Sequence, residues 1–189
     1  MAAVIAVLGS GTGVQAAQNR STDFTSAPAG IEIMSNEAYV AKYGVERALA
    51  EHVPLPPGNT GSASPSAADP SIPWHHIYWS ALDWKHNDIP TRRGNDDFGF
   101  KHACSKHNVC TKTVINTPYD GKADRGKGNR VECDAVITSG ASVRMTTTSI
   151  AERGERGPNG QNTPDGRPIG TVTAFCRGQT MCPDWVNQL

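Results

Sequence analysis

The sequence predicts a small, mainly α-helical, disulfide-stabilised domain built on two antiparallel helices, after a disordered or helical N-terminal region. Three observations point there. In the run Ala103-Cys104-Ser105-Lys106-His107-Asn108-Val109-Cys110, about 100° per residue places Cys104 and Cys110 roughly 60° to either side of His107 on one helix face. A second helical segment starts near Asn129 and carries Val131, Cys133, Asp134, Ala135 and Val136; two helices with a short connection normally pack antiparallel. Five cysteines in 189 residues suggest disulfides in an exported chain, with at least one thiol left over.

Composition bounds the rest. With 37% hydrophobic and 6% aromatic residues, the chain can bury one modest core and has residues to spare. Lysine plus arginine equal aspartate plus glutamate at 18 each, so no global field draws the chain to nucleic acid or to an anionic membrane, and a monomer is expected.

Taken in order, residues 1–17 read as a signal peptide. A short apolar run over residues 2–8 precedes Val14-Gln15-Ala16, which offers small residues for cleavage after Ala16 or Ala17. The positively charged start is missing, so a truncated leader is expected, and the run is too short to span a bilayer. Residues 18–53 form an accessory or propeptide-like region with one helix over 36–52, capped by Ser35 and weakened by Gly44. Residues 54–73, rich in Pro, Ser, Ala and Gly, read as a linker.

The folded domain spans residues 74–189. Trp74, Trp79 and Trp84 supply its aromatic core, and residues 85–97 read as a loop around Pro90 and Gly94. The histidine helix runs from about residue 101 to 115, ended by Asn116-Thr117-Pro118. Six residues of helical rise separate Cys104 from Cys110 by about 9 Å, beyond the roughly 7 Å limit for bridged Cα atoms, so each needs a partner elsewhere. Ser139-Gly140 interrupts the second helix. Residues 146–150 are β-branched, 152–170 form a polar loop, and 171–175 fit a strand. Cys176 and Cys182, closely spaced outside a helix, pair most simply with each other.

Cys104-x-x-His107-x-x-Cys110, followed by Cys133-Asp134, resembles the paired-helix active site of the secreted phospholipase A2 superfamily. There, one helix carries Cys-x-x-His-Asp-x-Cys and the other a Cys-Asp pair. The run Phe100-Lys101-His102-Ala103-Cys104-Ser105-Lys106-His107 is similar to the small bacterial and fungal branch, and Trp79-Ser80-x-x-Asp83 is a looser echo of that branch's calcium loop. The resemblance covers residues 74–145. It implies a Cys110–Cys133 disulfide, His107 as general base oriented by Asp134, and calcium held by Asp83 and Asn108. The implied activity is calcium-dependent hydrolysis of the sn-2 acyl ester of glycerophospholipids by a secreted enzyme at a membrane or micelle surface. Three departures stand out. Asn108 replaces the family's calcium-ligating aspartate, no cysteine in the calcium loop partners Cys104, and the glycine-rich loop of the animal enzymes is absent.

The chemistry is coherent on its own terms. A neutral imidazole fixed by a carboxylate can deprotonate water, and calcium held by oxygen ligands can stabilise the developing oxyanion. The competing reading is a catalytically weak or inactive lipid-binding or toxin-like protein, because an amide oxygen is a weaker calcium ligand than a carboxylate. Two further readings are a zinc site of Cys104, His107, Cys110 and Cys133 and a Cys104 nucleophile beside His107. The remaining histidines, His52, His75, His76, His86 and His102, have no matched partner in the sequence.

Overall fold

A strand, β5 (Arg130–Ser139), is central to the second half of the chain: Val131, Cys133, Ala135 and Ile137 are buried on one of its faces, and Asp134, Val136 and Thr138 on the other. The β-branched density of this segment suits a pleated surface better than a helix. Two-residue turns delimit it: Gly128-Asn129 joins β4 (Arg125–Lys127) to β5, and Gly140-Ala141 joins β5 to β6 (Ser142–Glu152). Such glycine-containing pairs between strand-like runs are hairpin signals. The computed structural model describes residues 30–53, 71–123 and 125–189; the expected leader (1–17) and nearly all of the expected linker lie outside them.

The main sheet has the order β1–β5–β6–β7, all antiparallel, with β1 at Ile31–Ser35 and β7 at Gly170–Cys176, while β4 pairs with the other half of the β5 edge. A second sheet is the hairpin of β2 (Ile77–Leu82) and β3 (Asp88–Arg92). The expected mainly α-helical class is therefore overturned: among the described residues strand accounts for 35% and helix for 26%. The second helix expected from Asn129 is β5, and the loop expected over residues 85–97 contains β3.

Four short α-helices occur among the described residues. The expected helix over 36–52 divides into α1 (Asn36–Tyr43), whose first turn is capped by the Ser35 hydroxyl accepting from the Ala38 N–H, and α2 (Val45–Ala50), with the break at Gly44. The expected helix over 101–115 becomes α3 (Gly99–His107) and α4 (Lys112–Asn116). The stop is Asn108, which adopts a left-handed conformation at φ 55°, a region asparagine enters more readily than most residues. The Asn108 N–H donates to the Cys104 carbonyl and the Val109 N–H to the Ala103 carbonyl, each at 3.1 Å.

That reversal corrects the cysteine assignment. The chain turns back after His107, bringing Cys110 to 4.6 Å from Cys104 between Cα atoms, and the two form a disulfide. A continuous helix would have forbidden this pair; a helix that ends between them permits it. The Cys110–Cys133 bond implied by the resemblance does not form, and Cys133 is a buried thiol outside both disulfides. Cys176–Cys182 pairs as expected.

The two faces of the sheet differ. On one, Ile137, Ala174 and Cys176 pack against Phe100, Ala103, Val109, Val114 and Ile115, joined by Trp79. Trp79 lies 5.4 Å from the Phe100 ring and donates its indole N–H to the Asn116 side-chain oxygen at 2.9 Å. It carries the expected aromatic core; Trp74 and Trp84 are only partly buried. On the opposite face, Tyr39 and Ala48 cover Met34 and Val136 at one end, and Phe98 with Ile169 covers Ile150 and Val172 at the other. A strip of polar residues remains between these two covers.

Close backbone approaches set the geometry. A Cβ on Gly170 would lie 1.8 Å from the Pro90 carbonyl oxygen, and one on Gly99 (φ 83°) would lie 2.9 Å from the Arg92 carbonyl oxygen. Glycine at these two places lets β3, β7 and the start of α3 meet. Arg92 is fully buried at the same junction. Its guanidinium forms a two-point pair with Asp165 (2.8 and 2.9 Å) and donates to the His75, Arg167 and Pro168 carbonyls, tying the 152–170 loop to the hairpin sheet.

Candidate functional site

Asp134, Thr148 and Phe175 are register partners on β5, β6 and β7, so their side chains project to the same face of the sheet, within the polar strip that Arg125 and Arg177 overlie. The Asp134 side chain is fully buried, yet its carboxylate is saturated. It accepts from Arg125 through both oxygens at 3.2 Å, from the Thr148 hydroxyl at 2.7 Å, and from Arg177 at 2.7 Å. The Arg177 Nε also donates to the Thr148 hydroxyl at 3.0 Å, and Arg125 reaches Glu132 at 3.1 Å. The Asp134 carboxylate raises the Arg125 guanidinium above its ordinary pKa, against a smaller opposing effect of burial. Both arginine side chains keep more than two fifths of their surface in water, 44% for Arg125 and 43% for Arg177. The result is two half-exposed arginine side chains whose guanidinium groups are fixed on one buried carboxylate.

His107 ends α3 beside the edge strand β7, its ring centroid 5.7 Å from that of Phe175. The ring Nδ1 lies 3.1 Å from the Thr180 carbonyl oxygen. A carbonyl only accepts, so Nδ1 carries the proton and Nε2 the lone pair. His102 repeats the pattern, with its Nδ1 2.6 Å from the Asp96 carbonyl oxygen, and the two imidazole centroids are 5.3 Å apart. His107 and Asp134 thus do not meet. Two inter-strand spacings, about 10 Å, separate β5 from β7, and a backbone carbonyl orients the imidazole where a carboxylate was expected.

The expected calcium ligands do not converge. Asp83 is buried, and its oxygens accept from the Lys85 and Asn87 backbone N–H groups, the Asn87 side chain and the Arg153 guanidinium. Burial alone would raise its pKa, but the Asn87, Lys85 and Arg153 hydrogen bonds outweigh it and hold the carboxyl below the usual range. Asn108 sits elsewhere, donating its amide to the Cys182 carbonyl (2.9 Å) and the Asp184 carboxylate (2.8 Å), while its side-chain oxygen accepts from Asn187 at 3.2 Å. The two residues share no partner, and a guanidinium already occupies the place where a cation would meet Asp83. These residues do not fit a calcium site. Among the described residues no group of three or more His, Cys, Asp or Glu is placed to hold a metal ion. The zinc reading and the Cys104 nucleophile both fall with the disulfide, which consumes the Cys104 and Cys110 thiols.

Sequence reasoning missed Arg125, Arg177, Thr148 and His102. Read as a plain hairpin, the Gly140-Ala141 turn would set Asp134 opposite Thr147; a bulge between Ile137 and Thr138 shifts the register and brings Thr148 opposite Asp134, and Arg125 and Arg177 lie outside this hairpin, so none of the first three was legible from spacing alone. His102 had no sequence-level signal, because its contact with His107 depends on how α3 ends. Compared with protein-family models, with curated proteins and with solved structures, the chain finds no match.

Proposed function

We propose that this chain is a secreted, disulfide-stabilised binding module in which two arginines overlying the polar strip of the sheet recognise a phosphate-bearing ligand, with a phospholipid headgroup as the target. The observation that carries the reading is the Arg125–Asp134–Arg177 cluster, in which one fully buried carboxylate holds the guanidinium groups of two half-exposed arginine side chains. Guanidinium carries five N–H donors, of which Asp134, Glu132 and Thr148 take three on Arg125 and two on Arg177, so single charge-assisted contacts to a phosphate oxygen remain open, and anchoring on Asp134 and Thr148 removes much of the side-chain entropy a free arginine loses on binding. Phe175 and His107 border the cluster on the β7 side and offer an aromatic wall beside the headgroup. Two closed disulfides favour an oxidising compartment.

The test is co-sedimentation with vesicles of phosphatidic acid in phosphatidylcholine, against phosphatidylcholine alone, with inorganic phosphate as competitor. Arg177→Ala and Arg125→Ala should each weaken binding by about tenfold, the scale of one charge-assisted contact, and phosphate should compete. Equal binding by wild type and the Arg125→Ala/Arg177→Ala pair would refute the proposal.

A second reading, acyl-ester hydrolysis with His107 as base, draws support from the Nδ1–H bond to Thr180, which leaves Nε2 as the basic atom. Fatty-acid release from phosphatidylcholine vesicles, with and without chelator, decides between them. Release that His107→Ala abolishes would establish the hydrolase, and no release would leave the binding module.

A further inference from the structure

We infer that His102 and His107 form a two-imidazole clip for a zinc ion, which adjoins the arginine cluster at His107 but draws on none of the arginine donors. Three observations converge. Each ring gives its Nδ1 proton to a backbone carbonyl, of Asp96 for His102 and of Thr180 for His107. This arrangement fixes tautomer and orientation in metal-ligating histidines and leaves Nε2 as the donor atom. Among the described residues neither Nε2 has a hydrogen-bond partner. Two imidazoles bound through Nε2 at about 2.0 Å to one tetrahedral ion have centroids roughly 5 Å apart, and the observed separation is 5.3 Å.

The rings are also held in place before any ion arrives. Thr180 lies inside the short loop closed by Cys176–Cys182, and Cys104–Cys110 braces the end of α3 on which His107 sits. The C-terminal end of a helix favours a cation, and imidazole nitrogen is a preferred zinc donor. Water completes the coordination, since the Asp96 carboxylate is engaged with Lys101 at 3.0 Å.

The experiment is titration of the full chain with zinc chloride alone, followed by calorimetry and by NMR of the histidine rings. One ion per chain is expected, with zinc-dependent shifts of the His102 and His107 rings. Loss of a partner outside the coordination sphere already costs about 10–100-fold in metal affinity, so His102→Gln and His107→Gln should each weaken zinc binding by about 100-fold, with near-UV circular dichroism confirming the fold. His75→Gln and His86→Gln should bind as the wild type. Wild-type affinity in His102→Gln, or an unchanged position for either ring in the wild-type NMR titration, would overturn the clip. The NMR arm holds even if a variant fails to fold.

Discussion

Asn108 occupies a left-handed backbone position while its side chain bonds Cys182, Asp184 and Asn187. The Asn187 side chain in turn donates to the Asn108 carbonyl and accepts from the Cys110 N–H. One residue therefore ends α3 and clasps the C-terminal tail to it. This gives Asn108→Asp a sign opposite to that of a calcium ligand. An aspartate cannot donate to the Cys182 carbonyl, and it sets a second carboxylate against Asp184. Asn108→Gly keeps the backbone conformation and loses only the clasp, at about 0.5–1.5 kcal/mol per net hydrogen bond. Urea midpoints should fall in the order wild type, Asn108→Gly, Asn108→Asp. A calcium-dependent rise in the melting temperature of Asn108→Asp would instead restore the metal-ligand role.

At the scale of elements, α3 and its turn are defined by where the helix stops. The Cys104–Cys110 loop is short, so chain-entropy arguments assign its closure about 2 kcal/mol. Cys104→Ser and Cys110→Ser should each lower stability by about that amount, and the double variant should lose no more than either single one. Cys133 belongs to the β5 ladder, where it pairs in register with Ser149, so Cys133→Ser should leave both disulfides in place. Non-reducing peptide mapping checks this, and recovery of a Cys110–Cys133 peptide would reverse the assignment of β5 as a strand beside an independent helix turn.

For the whole molecule, the buried Arg92 guanidinium joins the hairpin sheet to the 152–170 loop through Asp165. Hydrogen bonding to Arg92 holds the Asp165 carboxyl at about 2, against an opposing contribution from burial. A carboxyl whose folded pKa lies below its unfolded value stabilises the fold above the ordinary carboxylate range, and that stabilisation is lost as pH falls toward the folded value. The wild type should therefore lose stability between pH about 4 and about 2 more steeply than Asp165→Asn. The variant should be the less stable at neutral pH, with the gap narrowing in acid. Parallel pH profiles of urea stability for the two proteins would disprove the role of this pair.

By itself the sequence determined the properties that depend on neighbours in the chain. Ser35 caps the first helix, Gly44 breaks it, residues 171–175 form a strand, and Cys176 pairs with Cys182. Each follows from local backbone preference or short loop closure. Tertiary structure decided the rest. Val131, Cys133, Asp134, Ala135 and Val136 fit a helix or a strand over so short a window, and only pairing with β1 and β6 selects the strand. That selection moved Asp134 away from His107 and under Arg125 and Arg177, because direct register partners share a face and strands lie about 4.8 Å apart. Cys104 and Cys110 became partners because Asn108 takes the left-handed conformation in which the tail secures its side chain, a contact made across more than seventy residues of sequence.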